Sequence, residues 1–347
     1  MSIQTDGLRT HAYSHLITPA QLAEEIPLTD SATQTVLDNR QAIEGILAGK
    51  DARKIVIVGP CSIHDPAAAM DYAERLAEQQ QLFNDRLLIV MRTYFEKPRT
   101  IVGWKGLIND PNLDETFDVN KGLRLARKLL ADINELGLPT ATEFLDTVTG
   151  QYIADLVSYG AIGARTTESQ VHREMASALS CPVGFKNATN GSIQVAIDAM
   201  RASGHAHIFC SPDKHGQMTI YRTDGNPHAH IILRGGHQPN YHRENVEEVA
   251  AKLKEHEIIQ RIIIDCSHGN SQKNHKNQLT VAADICQQLQ QKSTTIAGIM
   301  IESFINEGKQ TQKAGQDLTY GTSITDACLN WQDTKQVLQQ LYDACEN

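Results

Sequence analysis

The chain has 347 residues, 41% hydrophobic and 21% charged, with a formal net charge of −9. That apolar content supports a sizeable core, and net acidity without a basic tail argues against nonspecific binding to nucleic acid or a membrane surface. Seven cysteines, an odd number with no CxxC pair, argue against a disulfide framework or zinc ribbon and suit a reducing cytoplasm.

The amino terminus, MSIQTDGLRTHAYSH, lacks the apolar core of a signal peptide, and no apolar run approaches a membrane span. Residues 1–15 have nothing to pack against and are expected to be mobile unless another chain holds them. Thr18-Pro19 reads as an N-cap and first helical residue, opening the helix PAQLAEEI. A second helix is expected from Ser31 to Ala48, ended by Gly49. Its stripe of Val36, Ile43, Ile46 and Leu47 needs a partner, either the underside of a barrel or another subunit. Residues 1–50 thus read as an extension, and 51–347 as the main body.

From Lys54 onward strand-like runs alternate with helical patterns, which predicts a parallel sheet; eight such units predict a closed barrel. The runs are KIVIVG, LLIVMR, TATEF, AIGAR, VGFKN, HIFCS, QMTIYRT, HIILRGG, RIIIDCS and IAGIMIES. That is two too many. HIFCS and QMTIYRT are joined only by PDKHG, so they read as an antiparallel hairpin inserted at about 206–227, with HIILRGG as the sixth barrel strand. The fold class is therefore α/β: a (β/α)8 TIM barrel with an N-terminal helical extension and an inserted β-hairpin. Gly235 and Gly236, directly after Arg234, are expected to let the backbone approach a ligand.

Seven basic residues sit where buried strands end or just beyond: Arg92, Lys97, Arg99, Lys105, Arg165, Lys186 and Arg234. A buried cation must pair or meet an anion, and arginine forks match phosphate and carboxylate. Either each pairs with one of the protein's own carboxylates, or together they line a pocket for a small multi-anionic substrate. The clustering at strand carboxyl ends favours the pocket.

Cys61, His268 and Glu302 also lie at strand ends, and Asp326 lies in the later loop SITDACLNW. A mixed S, N and O set suits Mn, Fe, Co or Zn better than magnesium. The spacing does not single out these four: Cys266, His64, Asp65, Asp265 and His172 are competing candidates.

GPCSIHDP, MRTYFEKPRTIVGWKGLINDP, TATEFLD, GAIGARTTESQVHREMASALSCPVGFKN, HIILRGG, DCSHGNSQK and SITDACLNW together resemble the class I 3-deoxy-D-arabino-heptulosonate-7-phosphate (DAHP) synthases, over about residues 5 to 342. The resemblance implies condensation of phosphoenolpyruvate with erythrose 4-phosphate and release of phosphate, the entry step of the shikimate route to aromatic amino acids. It also implies one divalent metal ion held by Cys61, His268, Glu302 and Asp326. By the same resemblance Arg165, Lys186 and Arg234 surround the phosphoenolpyruvate phosphate, and Arg92 and Lys105 lie near that substrate's charged groups. Arg99 and Thr100 hold the aldose phosphate, Lys97 lies between the substrates, and Glu143 belongs to the same rim. Lys97 is the expected general acid, its proton affinity lowered by neighbouring cations.

Members of this class are commonly inhibited by one aromatic amino acid. The implied pocket comprises Thr147, Gly150, Gln151, Met175, Leu179, Ser180, Phe209, Ser211 and Tyr221, with the extreme N-terminus of a neighbouring subunit. Gly150 replaces the proline common in phenylalanine- and tyrosine-sensitive members, so the chain looks more like the tryptophan-sensitive subgroup. A homodimer or homotetramer is implied. Two rivals are the related arabinose 5-phosphate enzyme, against which the KPRT run argues, and a non-catalytic amino-acid sensor that kept the barrel.

Overall fold

The computed structural model of the chain describes residues 5–312 and 316–345. Its first helix, α1 (Pro19–Glu25), opens on a capping box: Thr18 Oγ1 accepts from Gln21 N, and the Gln21 side chain accepts from Thr18 N. The second helix, α2 (Asp30–Leu47), begins one residue before the expected Ser31, because Thr29 supplies the capping oxygen to Ala32 N. Of the segment expected to find no partner, residues 1–4 lie outside the described residues. Tyr13 and His15, however, are held within the same chain: Tyr13 Oη donates to Thr116 O, and His15 O accepts from Asn120 Nδ2.

The barrel strands follow as β1 (Lys54–Gly59), β2 (Leu87–Arg92), β3 (Thr140–Glu143), β4 (Tyr159–Ile162), β5 (Val183–Lys186), β8 (His230–Leu233), β9 (Ile262–Asp265) and β10 (Ile296–Glu302). They close in the order β1-β10-β9-β8-β5-β4-β3-β2, and every pairing is parallel. The crossover helices are α3 (Pro66–Phe83), α4 (Val119–Glu135), α6 (Gln170–Ala178), α7 (Gln194–Ser203), α8 (Arg243–Glu255), α9 (Asn277–Gln290) and α10 (Trp331–Ala344). After β3 the crossover shrinks to one turn, α5 (Gly150–Ile153), and the 3-10 segment Ala154–Leu156. The two surplus runs form the expected antiparallel hairpin, β6 (Ile208–Pro212) with β7 (Met218–Arg222). Asp213 closes its turn by accepting from His215 N and Gln217 N, while Gly216 takes φ +79.

Strands buried on both faces read as continuous apolar runs, and two cores result. One lies between the strands and the surrounding helices. The other fills the barrel, where Ile55, Ile57, Leu88, Val90, Ile232, Ile263 and Met300 meet Ile43, Ile46 and Leu47 of α2. Three residues of the α2 stripe, Ile43, Ile46 and Leu47, therefore find their partner in the barrel's underside, while Val36 lies elsewhere.

Candidate active site

Parallel strands all end on one rim, so side chains far apart in sequence converge there. Cys61 Sγ and carboxylate oxygens of Glu302 and Asp326 lie within 4.8 Å of one another, with Cys61 Sγ 3.6 Å from Asp326 Oδ2. His268 borders this group: its Nε2 is 3.9 Å from Glu302 Oε1. The Ser267 hydroxyl donates to Asp265 Oδ1 at 2.6 Å. His268 Nδ1 faces Asp265 Oδ2 at 2.9 Å and Ser267 Oγ at 2.7 Å. A proton on Nδ1 satisfies that side and leaves the Nε2 lone pair toward the Cys61 group. His268 holds φ +57, a left-handed conformation uncommon outside glycine.

Four of the five competing candidates are committed elsewhere. Asp265 lies behind His268, fully buried, and joins Lys186 Nζ at 2.8 Å. Cys266 packs into the outer core, where burial drives its thiol pKa far above the usual range. His172 links Leu145 O and Ser169 Oγ, and Asp65 caps α3.

The seven cations divide. Arg92 is 1% exposed and committed to the protein. Its Nη2 reaches Glu302 Oε1 at 3.1 Å, Nε donates to Pro60 O, and its guanidinium lies 3.5 Å above the Tyr94 ring. Lys186 has Asp265. Lys97 Nζ lies 3.1 Å from Cys61 Sγ and 3.3 Å from Cys61 O. Arg99, Lys105, Arg165 and Arg234 have no carboxylate partner among the described residues. Arg165 Nη1 donates to Pro98 O, tying it to the Lys97–Lys105 loop, whose neck is closed by Lys97 N donating to Lys105 O at 2.8 Å. Burial weakens the charge on Arg234, Asp265 offsets this, and Arg165 adds opposing positive charge; the net shift is downward.

One expectation needs correction. Burial works against the Lys97 ammonium, but Cys61, Glu302 and Glu143 outweigh burial and Arg92, so its pKa is raised rather than lowered. The anions beside Lys97 were not visible in a sequence stretch rich in cations. Gly235, at φ +70, is required by the backbone itself: an added Cβ would lie 2.5 Å from Asn270 N.

Sequence reasoning missed Asp265 as the partner shared by Lys186 and His268, and Cys328, whose Sγ accepts from Cys61 N. It also missed Glu96, a carboxyl 6% exposed whose Oε2 accepts from Thr149 Oγ1 at 3.0 Å. Burial, then Asp146, pushes Glu96 up to about 7. Its folded pKa exceeds the unfolded value, so stability falls as pH rises from about 4.5 to 7 and the full cost persists above. Glu96→Gln is therefore expected to raise the unfolding temperature at pH 8 and by much less at pH 5; paired thermal melts check this.

All nine residues of the expected effector pocket line one cavity of about 1040 Å³. They come from the α5 and α6 regions and the hairpin. Thr33, Val36, Leu37 and Arg40 of α2 form a further wall, which sequence reasoning had not included. Gly150 faces Phe144, and a Cβ there would stand 3.2 Å from that ring.

The DAHP synthetase I family model matches residues 26–339. This chain belongs to that family. It is 59% identical over 343 residues to the phospho-2-dehydro-3-deoxyheptonate aldolase, Trp-sensitive, of Escherichia coli K12, covering 99% of both chains. The protein of the same name from Shigella flexneri is 60% identical over 338 residues, 97% of each. The solved phospho-2-dehydro-3-deoxyheptonate aldolase of Francisella tularensis SCHU S4 superposes with a TM-score of 0.94 at 51% identity, covering 97% of this chain and 98% of that one. Among the described residues no helix is long and apolar enough to cross a membrane.

Proposed function

We propose that this DAHP synthetase I family member condenses phosphoenolpyruvate with erythrose 4-phosphate, releases phosphate and is inhibited by tryptophan. The observation that carries the reading is the meeting, on one barrel rim, of a Cys61–Glu302–Asp326 group with Arg165 and Arg234, cations lacking a carboxylate partner among the described residues. The donor chemistry fits a divalent transition metal: a thiolate, two carboxylates and an imidazole nitrogen freed by its Asp265 contact. Cys61, His268, Glu302 and Asp326 are the residues that would hold it. Bound there, the metal supplies Lewis-acid polarisation of the aldose carbonyl.

The chain's own side chains do the rest. Arg165, Arg234 and Lys186 hold the phosphoenolpyruvate phosphate, and Lys105 lies near its carboxylate. Arg99 and Thr100 take the aldose phosphate. Gathering two like-charged substrates in attack geometry accounts for a large share of the acceleration. Arg92 acts by fixing Glu302 and the Pro60–Cys61 backbone beneath them, and Glu143 completes the rim. C3 of phosphoenolpyruvate attacks C1 of the aldose, water adds at C2, and phosphate leaves by C–O cleavage. Lys97 donates a proton to the new alkoxide.

The cavity supports the regulatory half. It has room for an indole side chain, and Gly150 adds no bulk against Phe144. Residues 1–50 with the hairpin form the regulatory and subunit-contact portion, and 51–347 the catalytic barrel. Ile208, Met218 and Ile220, each at least 70% exposed on the hairpin, support a homo-oligomer. Phosphate release is the test: activity should vanish on chelation and return with Mn, Fe, Co or Zn. Tryptophan should then inhibit more strongly than phenylalanine or tyrosine. Metal-independent turnover, or equal insensitivity to all three amino acids, would overturn the corresponding half.

A further inference from the structure

Thr149 immediately precedes α5, a position where a hydroxyl ordinarily caps the helix. Its side chain makes no such cap. The local amides turn instead to Asp146, whose Oδ1 accepts from Val148 N at 2.6 Å and from Thr149 N at 3.2 Å. The Thr149 hydroxyl is thereby released to donate to Glu96, and both residues are at most 8% exposed. Glu96 Oε2 also lies 3.5 Å from Asp146 N.

The two ends of this contact belong to different sites. Thr147, Val148, Gly150 and Gln151 line the large cavity, whereas Thr149 does not. Glu96 adjoins Lys97, whose backbone closes the neck of the loop carrying Arg99 and Thr100. A shift of the cavity wall therefore reaches the Lys97–Lys105 loop through one buried hydrogen bond, with little slack in a packed interior.

We propose that Glu96 and Thr149 are positioning residues that transmit occupancy of the cavity to the catalytic loop. This rests on the reading of the cavity as an effector site. Coupling is a free energy shared by two sites, so severing the link should change inhibition while leaving effector binding intact.

The experiment uses the full-length, metal-loaded enzyme with tryptophan as probe. The tryptophan Kd comes from calorimetry, and the half-inhibitory concentration from phosphate release. In Thr149→Val the half-inhibitory concentration is expected to rise about tenfold or more, within the usual range of allosteric coupling, with Kd and uninhibited turnover both within about threefold of wild type. Thr149→Ser, which keeps the hydroxyl, should behave as wild type, and Thr149→Ala gives the same severance if the valine variant does not fold. Kd and inhibition moving together, neither moving, or the serine variant failing like the valine one would overturn the proposal. Absence of tryptophan binding to wild type would overturn the effector reading itself and the coupling with it, a distinct result.

Discussion

Replacing Cys61 with alanine is expected to lower kcat/KM by about a thousandfold, the scale of removing a Lewis acid that stabilises charge in the transition state by several kcal/mol. The side chain is fully buried and sits 3.6 Å from Asp326 Oδ2 and 3.1 Å from Lys97 Nζ. Burial, Glu302 and Asp326 raise its pKa against the opposing pull of Lys97 and Arg92, so a proton competes with the metal for this sulfur. A divalent ion must displace that proton to bind, which makes affinity rise with pH. Metal per chain after dialysis and turnover should fall together in Cys61→Ala, whereas thermal unfolding of the metal-free proteins should differ little. An alanine variant with full metal content and turnover would remove Cys61 from the site.

Asp265→Asn should cost about 3–5 kcal/mol of stability, the range for breaking a buried ion pair and stranding one charge. Asp265 is fully buried between Lys186 and His268. Burial would raise its pKa, but those two neighbours more than reverse this and hold the carboxyl well below the ordinary value. A depressed folded pKa gives stability that is complete above the unfolded value and lost in acid. The gap between wild type and variant in denaturant unfolding should therefore be full at pH 7 and narrow only below about pH 4. Because Asp265 also orients His268, metal affinity should fall about 10- to 100-fold, as for other outer partners of a metal-bound imidazole. Lys186→Met added to Asp265→Asn should recover much of the stability but none of the phosphate binding. Equal stability of the single variant and wild type at pH 7 would show that the pair contributes nothing.

These cases show what the sequence reveals and where it stops. Continuous apolar runs such as KIVIVG and LLIVM expose buried strands, and the short PDKHG connector exposes the hairpin, because both depend on near neighbours in the chain. Parallel closure then brings strand ends together, so Cys61, His268 and Glu302 were legible as one rim. Partner choice across the rim was not. Arg92 and Arg234 both end apolar runs, yet Arg92 is taken up by Glu302 while Arg234 has no carboxylate partner among the described residues. Lys97 looks like a lysine among cations until folding sets Cys61 and Glu143 beside it. The Glu96–Thr149 contact spans 53 positions and leaves no periodic trace.

The placement of α2 has a consequence for how control and catalysis can be separated. One end of this helix corks the barrel floor with Ile43, Ile46 and Leu47, while the other end supplies Thr33, Val36 and Leu37 to the cavity. The leading segment is thus no detachable accessory. A truncation that runs through this helix would therefore remove a wall of the cavity and uncork the staves together.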